Sequence, residues 1–171
     1  MSSAVGDVTK TRQGAPAGFF AVEAAGLAWL AVDGGAPVAR VLDVGPDRIT
    51  VARVRESTPT AAAAHHFGEQ LAVTHDAGAA CFGAGPDGWT GDGFIGDAPL
   101  TLRPHATWGE FYATERVLPY ARGADLGAGL QVIEALAERL ATGEFDDEAP
   151  AARIHGDLWA GNVLFSGASA T

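Results

Sequence analysis

Apolar positions recur along this chain at two spacings. In "FFAVEAAGLAWLAV" Phe19, Phe20, Val22, Leu27 and Leu30 fall near the period of a helix with one apolar face, and Glu23 is the carboxylate within it. In "PVARVLDVGPDRITVARV" β-branched residues alternate around Gly45-Pro46-Asp47, which predicts an antiparallel hairpin of Val38–Val44 and Arg48–Val54. Val5–Thr11 reads as a short strand that ends near Lys10, although Gly6 weakens it. Thr58-Pro59 offers an N-cap and first-turn pair for a helix running to about Ala77, with Phe67, Leu71 and Thr74 or His75 on one face. The change from strands to helices near Glu56 sets a candidate lobe boundary between residues 1–56 and 57–171.

From Gly78 to Ala106 glycine and proline predict a long loop. Its "GDGFIG", Gly91 to Gly96, matches a dinucleotide-binding fingerprint by letters, but "APLTLRP" follows where that fingerprint needs a helix, so the glycines are read as turn formers. Thr107 and Glu110 have the spacing of a capping box, and Leu126–Thr142 predicts a helix with Leu126, Leu130, Ile133, Leu136 and Leu140 as its core stripe. The class is α+β.

Composition narrows the functions open to such a chain. With 171 residues and 47% hydrophobic content it can build a core, as one domain or two small lobes. A net charge of -10 disfavours unaided binding to nucleic acid or to an anionic membrane, though nucleotide phosphates remain reachable through Mg²⁺ and a lysine. The single cysteine, Cys81, fits a reducing compartment. "MSSAVGDVTKTR" has no apolar signal region, and no apolar run reaches the length of about 18 residues that spans a bilayer, so a cytoplasmic protein is expected.

The candidate chemistry lies in "ARIHGDLWAGNVLF", Ala152 to Phe165. Ala152–Ile154 and Asn162–Phe165 read as small strands flanking a tight loop in which Gly156 and Gly161 permit unusual backbone shapes. Asp157 and Asn162 have the D-x-x-x-x-N interval of a protein-kinase catalytic loop, with His155 two positions before the aspartate. Phosphoryl transfer needs a carboxylate to orient the attacking hydroxyl and accept its proton, and a neutral oxygen to help hold Mg²⁺. Taken alone, the interval also suits an Asx turn capping a hairpin. Lys10 on a strand and Glu23 on the next helix match the kinase pair in which the glutamate fixes the lysine that meets the nucleotide phosphates; singly, each reads as a solvated charge.

"HGDLWAGN" resembles the signature of the fructosamine kinase, or ketosamine-3-kinase, family, relatives of the aminoglycoside phosphotransferases with a protein-kinase-like two-lobe fold. Those phosphotransferases more usually carry His where this chain has Trp159. "VTKTRQGAPAGFFAVEAAGLAWL", "FGEQLAVTH" and "TWGEFYATERVLPY" extend the resemblance over nearly the whole chain. It implies ATP- and Mg²⁺-dependent phosphorylation of a fructosamine or ribulosamine hydroxyl, on a small ketosamine or a glycated protein amine, with deglycation as the outcome. It also implies that Lys10 contacts ATP, Glu23 orients Lys10, Asp157 is the base and Asn162 a magnesium ligand. Trp159 and Trp108 are offered to the substrate side, with core packing an equal alternative for both indoles. His155 braces the loop, and the backbone of Val51–Glu56 lies near an adenine-binding hinge.

Two family features have no counterpart: a glycine hairpin before the lysine strand and an Asp-Pro-Ala segment after the loop. The fold is thus expected to be incomplete in both lobes and the chain weak or inactive as a catalyst. A non-catalytic nucleotide-binding remnant or interaction module is the alternative. A metallophosphoesterase is disfavoured, because His65, His66, His75 and His105 lack the required ligand spacing.

Overall fold

The computed structural model describes residues 6–167 and 169–171, without the side chain of Ser169. Val5, placed in the first strand by sequence, lies outside the described residues. The chain forms two compact units: Met1–Ala77, Pro86–Trp89 and Arg153–Thr171 in the first, Gly78–Gly85 and Thr90–Ala152 in the second. The change of pattern near Glu56 falls within the first unit.

The first unit is built on a three-stranded antiparallel sheet of β1 (Asp7–Thr11), β2 (Val41–Gly45) and β3 (Arg48–Ala52), with β3 in the centre. The Pro46-Asp47 turn predicted by sequence joins β2 to β3; β2 begins at Val41 rather than Val38 and carries a bulge between Val41 and Asp43. Lys10 pairs with Ile49 across the β1–β3 ladder, and directly opposed residues share a face of a sheet. Ile49 is buried, so that face meets the core, and α1 (Phe19–Leu30) packs over the sheet. Helix α1 buries Phe20, and Glu23 follows three positions later on the same side.

Helix α2 (Ala61–Asp76) begins later than sequence suggests. Thr60, rather than Thr58, is its N-cap, and its hydroxyl accepts from the Ala63 amide at 3.1 Å. Two residues thus shift from helix to connection. The buried Thr74 hydroxyl accepts from the Ala36 amide at 3.0 Å and donates to the Gln70 carbonyl at 3.3 Å, so its own hydrogen-bonding capacity is used inside. A short ladder of β6 (Phe165–Ser166) and β7 (Ser169–Ala170) packs by α2, where Phe67 meets Phe165 edge-on at 6.5 Å.

In the second unit "GDGFIG" lies in a hairpin, β4 (Gly93–Ile95) and β5 (Ala98–Leu100), within the span read as loop. Thr107 caps α3 (Trp108–Phe111), accepting from the Glu110 amide as its spacing predicts. The helix widens into a π turn over Tyr112–Val117 and resumes as α4 (Leu118–Gly123). Pro119 has no N–H for the carbonyl four residues back, and the Arg116 guanidinium donates to that Glu115 carbonyl at 2.9 Å. Helix α5 (Gly129–Ala141) buries Ala137 and Leu140 against Ala113, but Leu126 and Leu136 are exposed. Of the predicted stripe, Leu140 is buried and Leu130 and Ile133 are half-buried, while Leu136 is exposed and Leu126 precedes the helix.

Candidate active site

The segment 151–159 makes no strand; its His-Gly-Asp part bends at Gly156 (φ 82°), a left-handed backbone that suits glycine, and closes in a 3₁₀ turn at Ala160–Asn162. Predicted strands on both sides are thus replaced by extended backbone and, downstream, by β6. The loop is held by its own polar groups. The Asp157 amide donates to His155 Nδ1 at 3.2 Å, which makes His155 the brace its position suggests and requires that nitrogen to be unprotonated. The Asn162 side-chain amide donates to the Asp157 carbonyl at 2.8 Å and to its carboxylate Oδ2 at 3.0 Å. The Asn162 backbone amide closes the turn on the Trp159 carbonyl at 2.8 Å.

Two consequences follow for chemistry. Asn162 grips the carboxylate through nitrogen, so its Oδ1 is not used in the clasp and is available to a cation. Asp157 keeps Oδ1 outside the clasp and is solvent-exposed, as an acceptor for an incoming hydroxyl must be.

Lys10 and Glu23 meet as well. Lys10 Nζ lies 3.0 Å from Glu23 Oε1 and 3.2 Å from Oε2, with the two side chains 63% and 32% exposed. At that exposure an ion pair adds only about 0.2–1 kcal/mol to stability, so its value is to hold the ammonium in place. Both pairs belong to the first unit; no hydrogen bond or ion pair joins one pair to the other among the described residues.

The tryptophans differ. Trp159 is 63% exposed, and its ring lies across Gly161, where a Cβ would come within 2.4 Å of it. Trp108, in the second unit, stacks on Tyr112 at 5.0 Å and packs against the Ala113–Ala137–Leu140 core, which accounts for its indole by burial. No group of three or more His, Cys, Asp or Glu able to hold a metal occurs among the described residues. The donor set at the loop is one carboxylate and one amide oxygen, which suits Mg²⁺ brought in on phosphates rather than a protein-built metal cage.

Sequence reading did not single out Ser57 or Arg153. The Ser57 amide donates to the Phe165 carbonyl at 2.7 Å, and its hydroxyl accepts from the Gly167 amide at 2.8 Å, fastening the chain after Val51–Glu56 to β6. Nothing local marks either residue, since the partners of their side chains lie more than a hundred positions away.

Residues 8–170 match the fructosamine kinase family model. The chain is 35% identical to a provisionally named ketoamine kinase of Thermus thermophilus over 161 residues, 93% of this chain and 56% of that protein. It superposes with a TM-score of 0.82 and 41% identity on a solved structure from Thermobifida fusca, provisionally assigned as a fructosamine-3-kinase, covering 96% of this chain and 58% of the other. A structure with the same provisional assignment from Haemophilus somnus, 20% identical with a TM-score of 0.70, shares the fold over 96% of this chain and 55% of its own. The chain thus spans little more than half the length of the relatives it matches.

Proposed function

The chain belongs to the fructosamine kinase family, and on that premise we propose that it carries the phosphoryl-transfer site of an ATP-dependent ketosamine kinase. The observation that carries the proposal is the clasp of Asn162 on Asp157 beside a braced His155, in a loop open to solvent. Asp157 Oδ1 would accept the proton of the attacking sugar hydroxyl as the oxygen bonds to the γ-phosphorus and the bond to ADP breaks. Lys10, steered by Glu23, would meet the phosphates, and Asn162 Oδ1 would hold Mg²⁺, which when bound offsets charge on the transferring group. Trp159, exposed on the loop, would offer its indole face to the substrate. Trp108 has its packing explained and is assigned no contact.

A fructosamine or ribulosamine hydroxyl, on a free amine or a glycated protein, is the substrate class, and deglycation the cellular consequence. The two-lobe, protein-kinase-like division at residues 56 and 57 and an adenine hinge at Val51–Glu56 belong to the same proposal. So does a reducing, cytoplasmic setting for Cys81; no described helix is long and apolar enough to cross a membrane. Incubation with ATP, Mg²⁺ and a fructosamine, followed by ³¹P NMR, should show slow formation of a ketosamine phosphate, as a weak catalyst would give. Binding of Mg·ATP without transfer would instead favour a non-catalytic nucleotide-binding module.

A further inference from the structure

Arg153 has no part in the chemistry above, yet it leads into the His155–Asn162 loop and bonds to helices α1 and α2. Its backbone N–H donates to the His75 carbonyl near the end of α2 at 3.4 Å, and its Nη1 donates to the Trp29 carbonyl at 2.5 Å. Its guanidinium carbon sits 4.5 Å from the centre of the Trp29 ring. Trp29 occupies the last turn of α1, where helix carbonyls lack intrahelical donors and the dipole has its negative end; that turn has no basic residue of its own. A cation from 124 positions away supplies the charge. Among the described residues the buried Trp29 Nε1 has no hydrogen-bond partner, so this indole is held by its faces, one of them under the guanidinium. Helix α1 also carries Glu23, and Arg153 stands two and four positions ahead of His155 and Asp157.

We propose that Arg153 is a positioning residue that clamps the end of the Glu23 helix to the start of the Asp157 loop, and so fixes the spacing between the Lys10–Glu23 pair and the base. Its role in transfer rests on the phosphoryl-transfer reading above. Lysine at this position keeps the charge but neither the planar stacking nor the fork of donors, and methionine keeps neither charge nor donors. Amide hydrogen exchange of the intact chain tests the clamp directly. Arg153→Met should speed exchange of residues 26–31 and 155–162 together by about tenfold, with Arg153→Lys between it and the wild type. Unchanged exchange in either segment, or a lysine variant no better than methionine, overturns the clamp.

Turnover tests its use. Arg153→Met should lower kcat about tenfold while KM for ATP moves less than about threefold, and Arg153→Lys should recover part of kcat. An unchanged kcat, or loss of folding in both variants, overturns the positioning role; where only the methionine variant fails to fold, the lysine variant decides by its kcat. A wild-type chain that transfers no phosphate refutes the phosphoryl-transfer reading instead, and the exchange comparison then still decides whether Arg153 joins the two segments.

Discussion

Exchanging the two partners, Lys10→Glu with Glu23→Lys, separates the structural worth of their ion pair from its chemical worth. The pair spans 3.0 Å with side chains 63% and 32% exposed, and Coulomb attraction at that distance in bulk water is only about 1.4 kcal/mol before the entropy of ordering two long side chains is subtracted. The exchanged pair should regain most of that, leaving stability within about 1 kcal/mol of wild type, a shift of a few degrees in Tm for a domain of this size. Nucleotide binding responds differently. A charge-assisted hydrogen bond to phosphate is worth about 1.5–3 kcal/mol, so replacing the ammonium on β1 by a carboxylate should weaken Mg·ATP binding about 10–150-fold, and more with the added repulsion. Isothermal titration with a non-hydrolysable ATP analogue, beside a thermal melt, reads both quantities. Retained affinity within about threefold in a folded exchange variant would refute the requirement for an ammonium on β1 itself.

Asp157→Asn should leave analogue binding within about threefold of wild type while lowering transfer by about 10²–10⁴, measured by ³¹P NMR turnover; an equal loss of both would place Asp157 in binding rather than proton transfer. Gly161→Ala should swing the Trp159 ring away, because the added Cβ would lie 2.4 Å from it, and should raise the ketosamine KM with Tm unchanged. In the second unit, Gly109→Ala would bring a Cβ to 2.1 Å from the Leu140 carbonyl, forcing α3 from α5; urea unfolding should show a loss of about 1–3 kcal/mol or more. Glu144, hydrogen-bonded by Arg139 at 2.7 Å, has its carboxyl held below the ordinary value, chiefly by that bond. A depressed folded pKa gives stability that is present above the unfolded value and lost as pH falls through the folded one, so ¹³C titration should show a low midpoint that Arg139→Gln restores.

What could be read in the residues was whatever depends on near neighbours in the chain. A helix needs apolar residues every three or four positions, so Phe19–Leu30 was legible; Gly-Pro-Asp between two β-branched runs signals a turn, so the β2–β3 hairpin was legible; a cap needs a hydroxyl two or three positions ahead of an amide, so Thr107 was legible. The interval between Asp157 and Asn162 was legible, but the bond from Asn162 to Asp157 was not predicted. The cap read at Thr58 lies two residues away at Thr60, and the strand read at Ala152–Ile154 does not form. Tertiary structure decided the rest. The burial of Ala137 beside Ala113 and Leu140 arises from packing between elements, and the partners of Ser57 and Arg153 are backbone groups, which every residue has and which therefore leave no signature in the letters. A sequence specifies side chains; which carbonyl ends beside a given guanidinium is settled only when helix α1 and the loop are packed together.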